Sequence, residues 1–304
     1  MKRILVTGSN GLLGQKLTDL LLTRSEISLI ASSKGPNRHP VARGYIYVDL
    51  DLSDKSRLET AITTHRPDVI INTAAITNVD SCHKERDLCW KINVESVSHL
   101  AALCREYAIH LIHLSTDFVF DGEEGPYREE DQPNPLSFYG ESKLAAERLV
   151  QDSGCRYTIV RTILVYGITA QMSRSNIVLW VKQSLEAGKQ IQVVDDQFRM
   201  PTLAEDLAAA CLAIAEQEAT GIYHISGKDM LSVLEIALQV ADFWKLDKSL
   251  ITSVSSGTLN QEAKRPLKTG FVLNKAIRDI HYQPHSFQEG LALLDQQLKE
   301  GGYL

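Results

Sequence analysis

Tyr139 and Lys143 stand four residues apart in YGESK, which puts a phenol and an ammonium on one face of a helix. A phenol with a pKa near ~10 is a poor acid–base catalyst at neutral pH. A nearby positive charge stabilises the phenolate and lowers that value. Moving it from ~10 toward ~7 takes roughly 4 kcal/mol of differential stabilisation. A lysine plus a positively charged cofactor ring, shielded from water, can supply that. Alone, such a pair is more often a surface feature. Here it follows LSTDFVF, in which Ser115 and Thr116 end an apolar run and offer hydroxyls to a substrate carbonyl.

A second group of residues points to a dinucleotide. TGSNGLLG places Gly8, Gly11 and Gly14 between the first apolar run and the first helical stretch. Glycines there allow a tight turn and let backbone N–H groups reach a pyrophosphate at a helix N-terminus. The pattern is GxxGxxG rather than GxGxxG, so its position at the first strand–helix junction carries the reading. After the second strand, where an acidic residue would grip a ribose 2′-hydroxyl, stand Ser32, Ser33 and Lys34. Two hydroxyls and an ammonium suit a 2′-phosphate better, favouring NADP over NAD; a solvated Lys34 is the plain alternative. In DLDLSD, Asp51 suits the adenine amino group and Leu52 its ring; equally, Asp51 or Ser53 suits the cap of the next helix. Asn93, in KINVES, either binds backbone or water near the site or faces solvent.

These residues need a scaffold. Strands are expected at 3–7, 27–31, 45–48, 68–73, 110–114 and 157–161. Helices are expected at 12–23, 55–65, 84–107 and 139–151. The strands are continuous Ile/Val/Leu runs, as in strands covered on both faces. The alternation implies a doubly wound parallel α/β sheet of Rossmann type, with its ligands at the C-terminal strand ends. Beyond about 165 the rhythm loosens, with helices near 174–187, 203–216, 232–244, 274–279 and 287–299 and strands at 191–194 and 221–225. The expected division is a dinucleotide-binding domain over 1–165 and a small α/β substrate lobe over 166–304, some of whose segments return to the first domain.

The chain has 304 residues and a net charge of −6, with 32 basic against 38 acidic residues, which disfavours a nucleic-acid binder. Its apolar runs are strand-sized, so no membrane span is expected, and with no signal-peptide pattern the default compartment is the cytoplasm. Five irregularly spaced cysteines, Cys82, Cys89, Cys104, Cys155 and Cys211, read as reduced, mostly buried thiols rather than metal ligands.

Taken in order, TGSNGLLG, NTAAITNVD, KINVES, STDFVFDG, YGESK, RTILVYG, DQFRMPT and KRPLKTG cover nearly the whole chain. With these motifs the sequence resembles the extended short-chain dehydrogenases/reductases, and within them the dTDP-4-dehydrorhamnose reductases. The resemblance implies NAD(P)H-dependent reduction of the 4-keto group of a nucleotide-activated 6-deoxy sugar. By motif it assigns Thr116 to the ketone oxygen, Tyr139 to proton donation, and Lys143 to tuning Tyr139 and holding the nicotinamide ribose. It assigns Asn10, Gly11 and Leu12 to the pyrophosphate turn, Asp51 and Leu52 to adenine, and Ala74, Ala75 and Ile76 to the cofactor's flank. Thr116, Asp117, Leu164, Asn176 and Gln197 fall to the nucleotide-sugar side. Some such reductases dimerise around magnesium held by surface carboxylates; those ligands do not map onto this sequence, and a homodimer stays open.

Three positions depart from the family pattern. Phe118 replaces a frequent Tyr, Leu164 a frequent Trp, and Arg199 a frequent small residue; the guanidinium at 199 suits either contact with a phosphate or restriction of the pocket. Two other functions fit the superfamily: an enzyme on another carbonyl or sugar, and a non-catalytic NADP-binding regulatory subunit of the methionine adenosyltransferase β type. Dehydratases follow the active-site Thr with Asp-Glu; here Phe118 follows Asp117, against that branch.

Overall fold

The computed structural model describes residues 1–172, 175–258 and 262–301. Its first half runs β1 (Lys2–Thr7), α1 (Leu12–Leu22), β2 (Ile27–Ser33), β3 (Ile46–Asp49), α2 (Lys55–His65), β4 (Val69–Asn72), α3 (Val79–Lys84), α4 (Arg86–Trp90), α5 (Ser96–Glu106), β5 (His110–Thr116), α6 (Phe138–Asp152) and β6 (Tyr157–Thr162). The second half runs β7 (Val165–Tyr166), α7 (Ile177–Glu186), β8 (Ile191–Val194), β9 (Phe198–Arg199), β10 (Thr202–Leu203), α8 (Ala204–Gln217), β11 (Gly221–Ile225), β12 (Leu231–Ser232), α9 (Val233–Trp244), β13 (Ile251–Val254), α10 (Asn274–Ile280) and α11 (Phe287–Gly301).

Seven of these strands form one parallel sheet in the order β11-β6-β5-β4-β1-β2-β3. This is a Rossmann-like α/β fold. Successive side chains of a strand point to opposite faces, and both faces here are apolar. Ile4, Val6, Val69, Ile71, Ile112 and Val160 enter one core with Leu17 and Leu21 of α1 and Leu207 and Cys211 of α8. Leu5, Ile70, Leu111 and Ile159 enter the other, with Leu58 and Ile62 of α2, Leu100 of α5 and Ala146 and Val150 of α6. Each buried Leu or Ile contributes about 1.5–3 kcal/mol of apolar burial, which holds the helices to both faces of the sheet.

A third core, of Val178, Val181, Leu185, Ile191, Val193, Ile236, Val240, Phe287 and Leu291, holds α7, β8, α9 and α11 together. Its short parallel pair, β8 with β13, was not expected in full. Residues 251–254 (ITSV) carry two polar residues and no buried one, so they give no apolar signal.

The helix expected over 84–107 is in three pieces. Glu85, at φ −113° and ψ 60°, breaks α3 from α4. A π-helical turn, Lys91–Glu95, then separates α4 from α5. The helix expected from 174 starts at Ile177 behind an Asn176 cap; residue 174 lies outside the described residues. Among the described residues no helix is long and apolar enough to cross a membrane.

Candidate active site

Because β1, β2, β4 and β5 are parallel, their C-terminal ends, Thr7, Ser33, Asn72 and Thr116, share one edge of the sheet. The residues nominated from sequence follow those ends. Gly8 adopts φ +69°, and a Cβ there would lie 2.8 Å from Ala74 N. A Cβ on Gly14 would lie 2.4 Å from Gly8 O, so the turn closes only on glycine. Gly11 begins α1 with no side-chain cap and no acidic residue in the first turn, leaving N–H groups and a positive helix end for an anion. Leu12 is the first residue of that helix.

Three buried hydroxyls on this edge, Ser9, Ser32 and Ser115, have no hydrogen-bond partner among the described residues. A buried hydroxyl without a partner is costly. With the open N-terminus of α1 they suit a ligand rich in phosphate and ribose oxygens, so the residues present fit a dinucleotide.

Asn10 turns its side chain away from the glycine turn. Its Nδ2 donates to Pro36 O at 2.9 Å and its Oδ1 accepts from Arg38 N at 2.9 Å, pinning the loop after β2. Gln15, which the sequence reading missed, donates from Nε2 to Asn10 O at 3.1 Å and to Ala170 O at 2.9 Å. At the ends of β2 and β3 lies a cavity of about 690 Å³ lined by Lys34, Asp49, Asp51, Ser53, Arg57 and Lys91 among others. Lys34 reaches Asp51 at 2.9 Å. That ammonium and the Ser53 N–H hold the Asp51 carboxyl down to about 2. Neither Asp51 nor Ser53 caps α2: Asp54 does, accepting from Arg57 N at 3.1 Å, and Asp51 is turned to Ser53 and Lys34 instead. Leu52 is buried in the second core.

Ala74, Ala75 and Ile76 form the half-buried stretch after β4. Asn93 decides its position. Oδ1 of Asn93 accepts from Ile76 N at 2.8 Å, and its Nδ2 donates to Ile76 O at 3.0 Å and to Ser142 Oγ at 3.2 Å. The π-helical turn aims this buried carboxamide inward, so the solvent-facing alternative is excluded.

Tyr139 and Lys143 are both buried on α6, whose Ser137 cap accepts from Gly140 N. The Tyr139 ring packs edge-on to Phe118 at 5.8 Å, with Cys82 and Cys89 beside it. Burial pushes the Tyr139 phenol up, partly offset by the Thr116 hydroxyl. This is opposite to the lowering expected from Lys143. The lysine does not face the phenol as its main partner: Nζ donates to Leu114 O at 2.6 Å, and burial lowers its own pKa to about 8. Thr116 Oγ1 accepts from Phe118 N at 3.2 Å and donates to Asp117 Oδ1 at 3.1 Å.

Asp117 is buried between Thr116, Thr269 and Arg199, whose Nε is 3.9 Å away. Burial raises its carboxyl while Arg199 opposes the shift. Arg199 is itself engaged, donating to Phe198 O, Leu267 O and Pro266 O, and so ties β9 to the segment before α10. Gln197 is buried, its Oε1 3.5 Å from Arg199 Nη2. Asn176 caps α7, its Oδ1 accepting from Leu179 N at 3.2 Å and its Nδ2 donating to Gly167 O at 2.7 Å. Leu164 sits at φ +40° and packs against two cores. All five cysteines are buried and unpaired, and no group of three His, Cys, Asp or Glu side chains suited to a metal occurs among the described residues.

The chain is similar along its length to characterised proteins. It is 30% identical over 306 residues to a dTDP-4-dehydrorhamnose reductase of Aggregatibacter actinomycetemcomitans, covering 96% of this chain and 97% of that one. A dTDP-4-dehydrorhamnose reductase of Bacillus anthracis, solved in complex with NADP, superposes with a TM-score of 0.85 at 28% identity, over 98% of this chain and 100% of that one. Methionine adenosyltransferase 2 subunit beta of Xenopus laevis is 30% identical over 264 residues, 84% of this chain and 75% of that one. The model of the RmlD substrate binding domain matches residues 1–299. The chain therefore belongs to the RmlD substrate binding domain family, within the extended short-chain dehydrogenases/reductases.

Proposed function

We propose that this protein is an NADPH-dependent reductase of a nucleotide-activated 4-keto-6-deoxy sugar, of the dTDP-4-dehydrorhamnose reductase type. The observation that carries the reading is the convergence of Thr116, Tyr139 and Lys143 at the C-terminal end of β5, on the edge where the glycine turn and the three unpartnered serine hydroxyls lie. Relatives named for this activity span the whole chain, and one was solved with NADP.

When bound, the cofactor supplies the hydride. The glycine turn, Ser9 and Ser32 would hold its phosphates and ribose, and Lys34, paired with Asp51 over the cavity, would meet a 2′-phosphate. Thr116 orients the ketone oxygen by hydrogen bonding. Tyr139 gives its phenolic proton to that oxygen as it gains negative charge, and the Lys143 ammonium stabilises the phenolate left behind. A phenol held high by burial is fully protonated at neutral pH, the state a proton donor needs. Residues 1–165, with β11, would hold the cofactor, and most of 166–304 the nucleotide sugar.

Incubation with NADPH or NADH and a dTDP-4-dehydro-6-deoxy sugar tests the reading, with Tyr139→Phe alongside. Turnover in the wild type that disappears in the variant supports it. Tight NADPH binding without turnover of any keto-sugar sinks it and favours a regulatory role like that of the adenosyltransferase subunit.

A further inference from the structure

Beneath the Tyr–Lys helix a line of polar side chains crosses the otherwise apolar sheet. Thr7 of β1 lies opposite Asn72 of β4, and Asn72 lies opposite His113 of β5. All three are buried. Thr7 Oγ1 is 2.6 Å from Asn72 Oδ1, and Asn72 Nδ2 is 3.0 Å from His113 Nδ1. The other ring nitrogen, Nε2, lies 3.4 Å from Lys143 Nζ. Central strands favour Val and Ile at such positions, and buried polar groups are costly unless each has a partner. This line has partners throughout and ends on the lysine.

We propose that His113 is a positioning residue for Lys143: its Nε2 accepts from the ammonium, which is thereby held, charged, between the imidazole and Leu114 O. The proposal rests on the reductase reading for its catalytic consequence. A ring that accepts at Nε2 carries its proton on Nδ1 and donates it to Asn72. The carboxamide then turns its oxygen to the ring and its NH2 to Thr7 Oγ1, an exchange of two groups of nearly equal shape.

The charged and titratable groups around Lys143 leave His113 as its close side-chain partner. Glu147, one turn along α6, is clamped by Arg161 at 2.7 Å. Cys82 of α3 and Cys89 of α4 also face the lysine: the Cys82 thiol and the lysine's charge draw the Cys89 thiol down to about 7, so it favours the ammonium through its charge, while neither sulfur is hydrogen-bonded to Nζ. Tyr139 lies on the same helix. Burial and the lysine's charge hold His113 well below its ordinary value, so the ring is a neutral acceptor and adds no competing charge.

The test compares His113→Leu with His113→Gln in the full chain. Lys143 is followed by NMR of nitrogen-15 at lysine Nζ, its signal assigned by loss in Lys143→Arg. In His113→Leu the lysine is expected to lose about tenfold in proton affinity, as the ammonium loses an acceptor. His113→Gln, whose amide oxygen accepts, should keep most of it. In turnover, His113→Leu should lose about twofold in kcat at pH 7 and close to tenfold at pH 9, while KM for the sugar stays within about threefold. The alkaline limb of the kcat profile should move down with the lysine titration. An unchanged lysine titration and pH profile, with only a changed melting temperature, overturns the proposal and makes the line a packing device. Should His113→Leu not fold, Asn72→Ser, which cuts the ring's support, is read the same way. Absence of keto-sugar turnover in the wild type defeats the reductase reading separately, because the NMR titration still decides the His113–Lys143 link.

Discussion

Lys34 Nζ and Asp51 Oδ2 lie 2.9 Å apart across the rim of the cavity at the ends of β2 and β3. Each was nominated from sequence for a different part of a dinucleotide, and here they meet each other. In the proposed reading a 2′-phosphate draws the lysine from the carboxylate. Lys34→Ala should raise KM for NADPH about tenfold, the value of one exposed charge-assisted contact, and leave NADH unaffected. Steady-state kinetics with both cofactors checks this. An equal loss with both would show that Lys34 is only a rim charge.

Tyr139→Phe keeps the ring that packs against Phe118 and removes the hydroxyl that the proposed reading makes the proton donor. The expected loss is about 10²- to 10⁴-fold in kcat, with NADPH affinity and melting temperature nearly unchanged. Single-turnover kinetics together with cofactor titration separates the two quantities. A loss of affinity equal to the loss of rate would move Tyr139 from proton transfer to binding.

Lys143 makes folding stability depend on pH. Burial lowers its pKa to about 8 in the folded chain, against ~10.4 when unfolded. Below pH 8 both states hold the proton, and the cost of the buried charge is fully present. Between these values the unfolded chain binds more protons, so this group makes stability rise with pH. Relative to wild type, Lys143→Met should be more stable by about 1–3 kcal/mol near pH 7, and the gap should close as the pH approaches 10. Urea unfolding at three pH values measures it; a gap that does not vary with pH contradicts the shift.

Asn93→Ala removes both hydrogen bonds to Ile76 and the one to Ser142. Leaving the Ile76 amide and carbonyl without partners should cost about 2 kcal/mol in stability. Because Ile76 belongs to the stretch flanking the glycine turn, cofactor affinity should fall as well. Calorimetry and NADPH titration of one preparation test both effects. A lower melting temperature with unchanged affinity would confine Asn93 to the fold.

What was legible in the sequence is what local chain geometry enforces. The glycines at 8 and 14 are fixed by backbone contacts no side chain survives, and Tyr139–Lys143 by the helical repeat. The apolar strands gave the sheet, because both faces are covered. Residues whose roles depend on distant partners were not legible. Gln15 meets Ala170 and His113 meets Asn72, and neither neighbour can be read from spacing. Asn93 was visible as an unusual helical residue, but the π-helical turn that aims it inward leaves no trace in periodicity. Arg199 suggested either a phosphate contact or a narrowed pocket. It is bound to three backbone carbonyls, two of which, Pro266 O and Leu267 O, only the folding of residues 266–268 against β9 supplies.

The edge strand β11 pairs with β6, Gly221 opposite Thr158, although α7 through α8 lie between them in the chain. During synthesis, therefore, β6 leaves the ribosome as an open strand edge and stays so until some sixty further residues have been added. A chain cut near residue 165 would keep that edge permanently, with its unpaired N–H and C=O groups ready to pair with another molecule. The natural failure of a truncated chain is thus aggregation through β6 rather than a smaller working protein, and a chaperone that holds nascent chains has its best substrate in that interval.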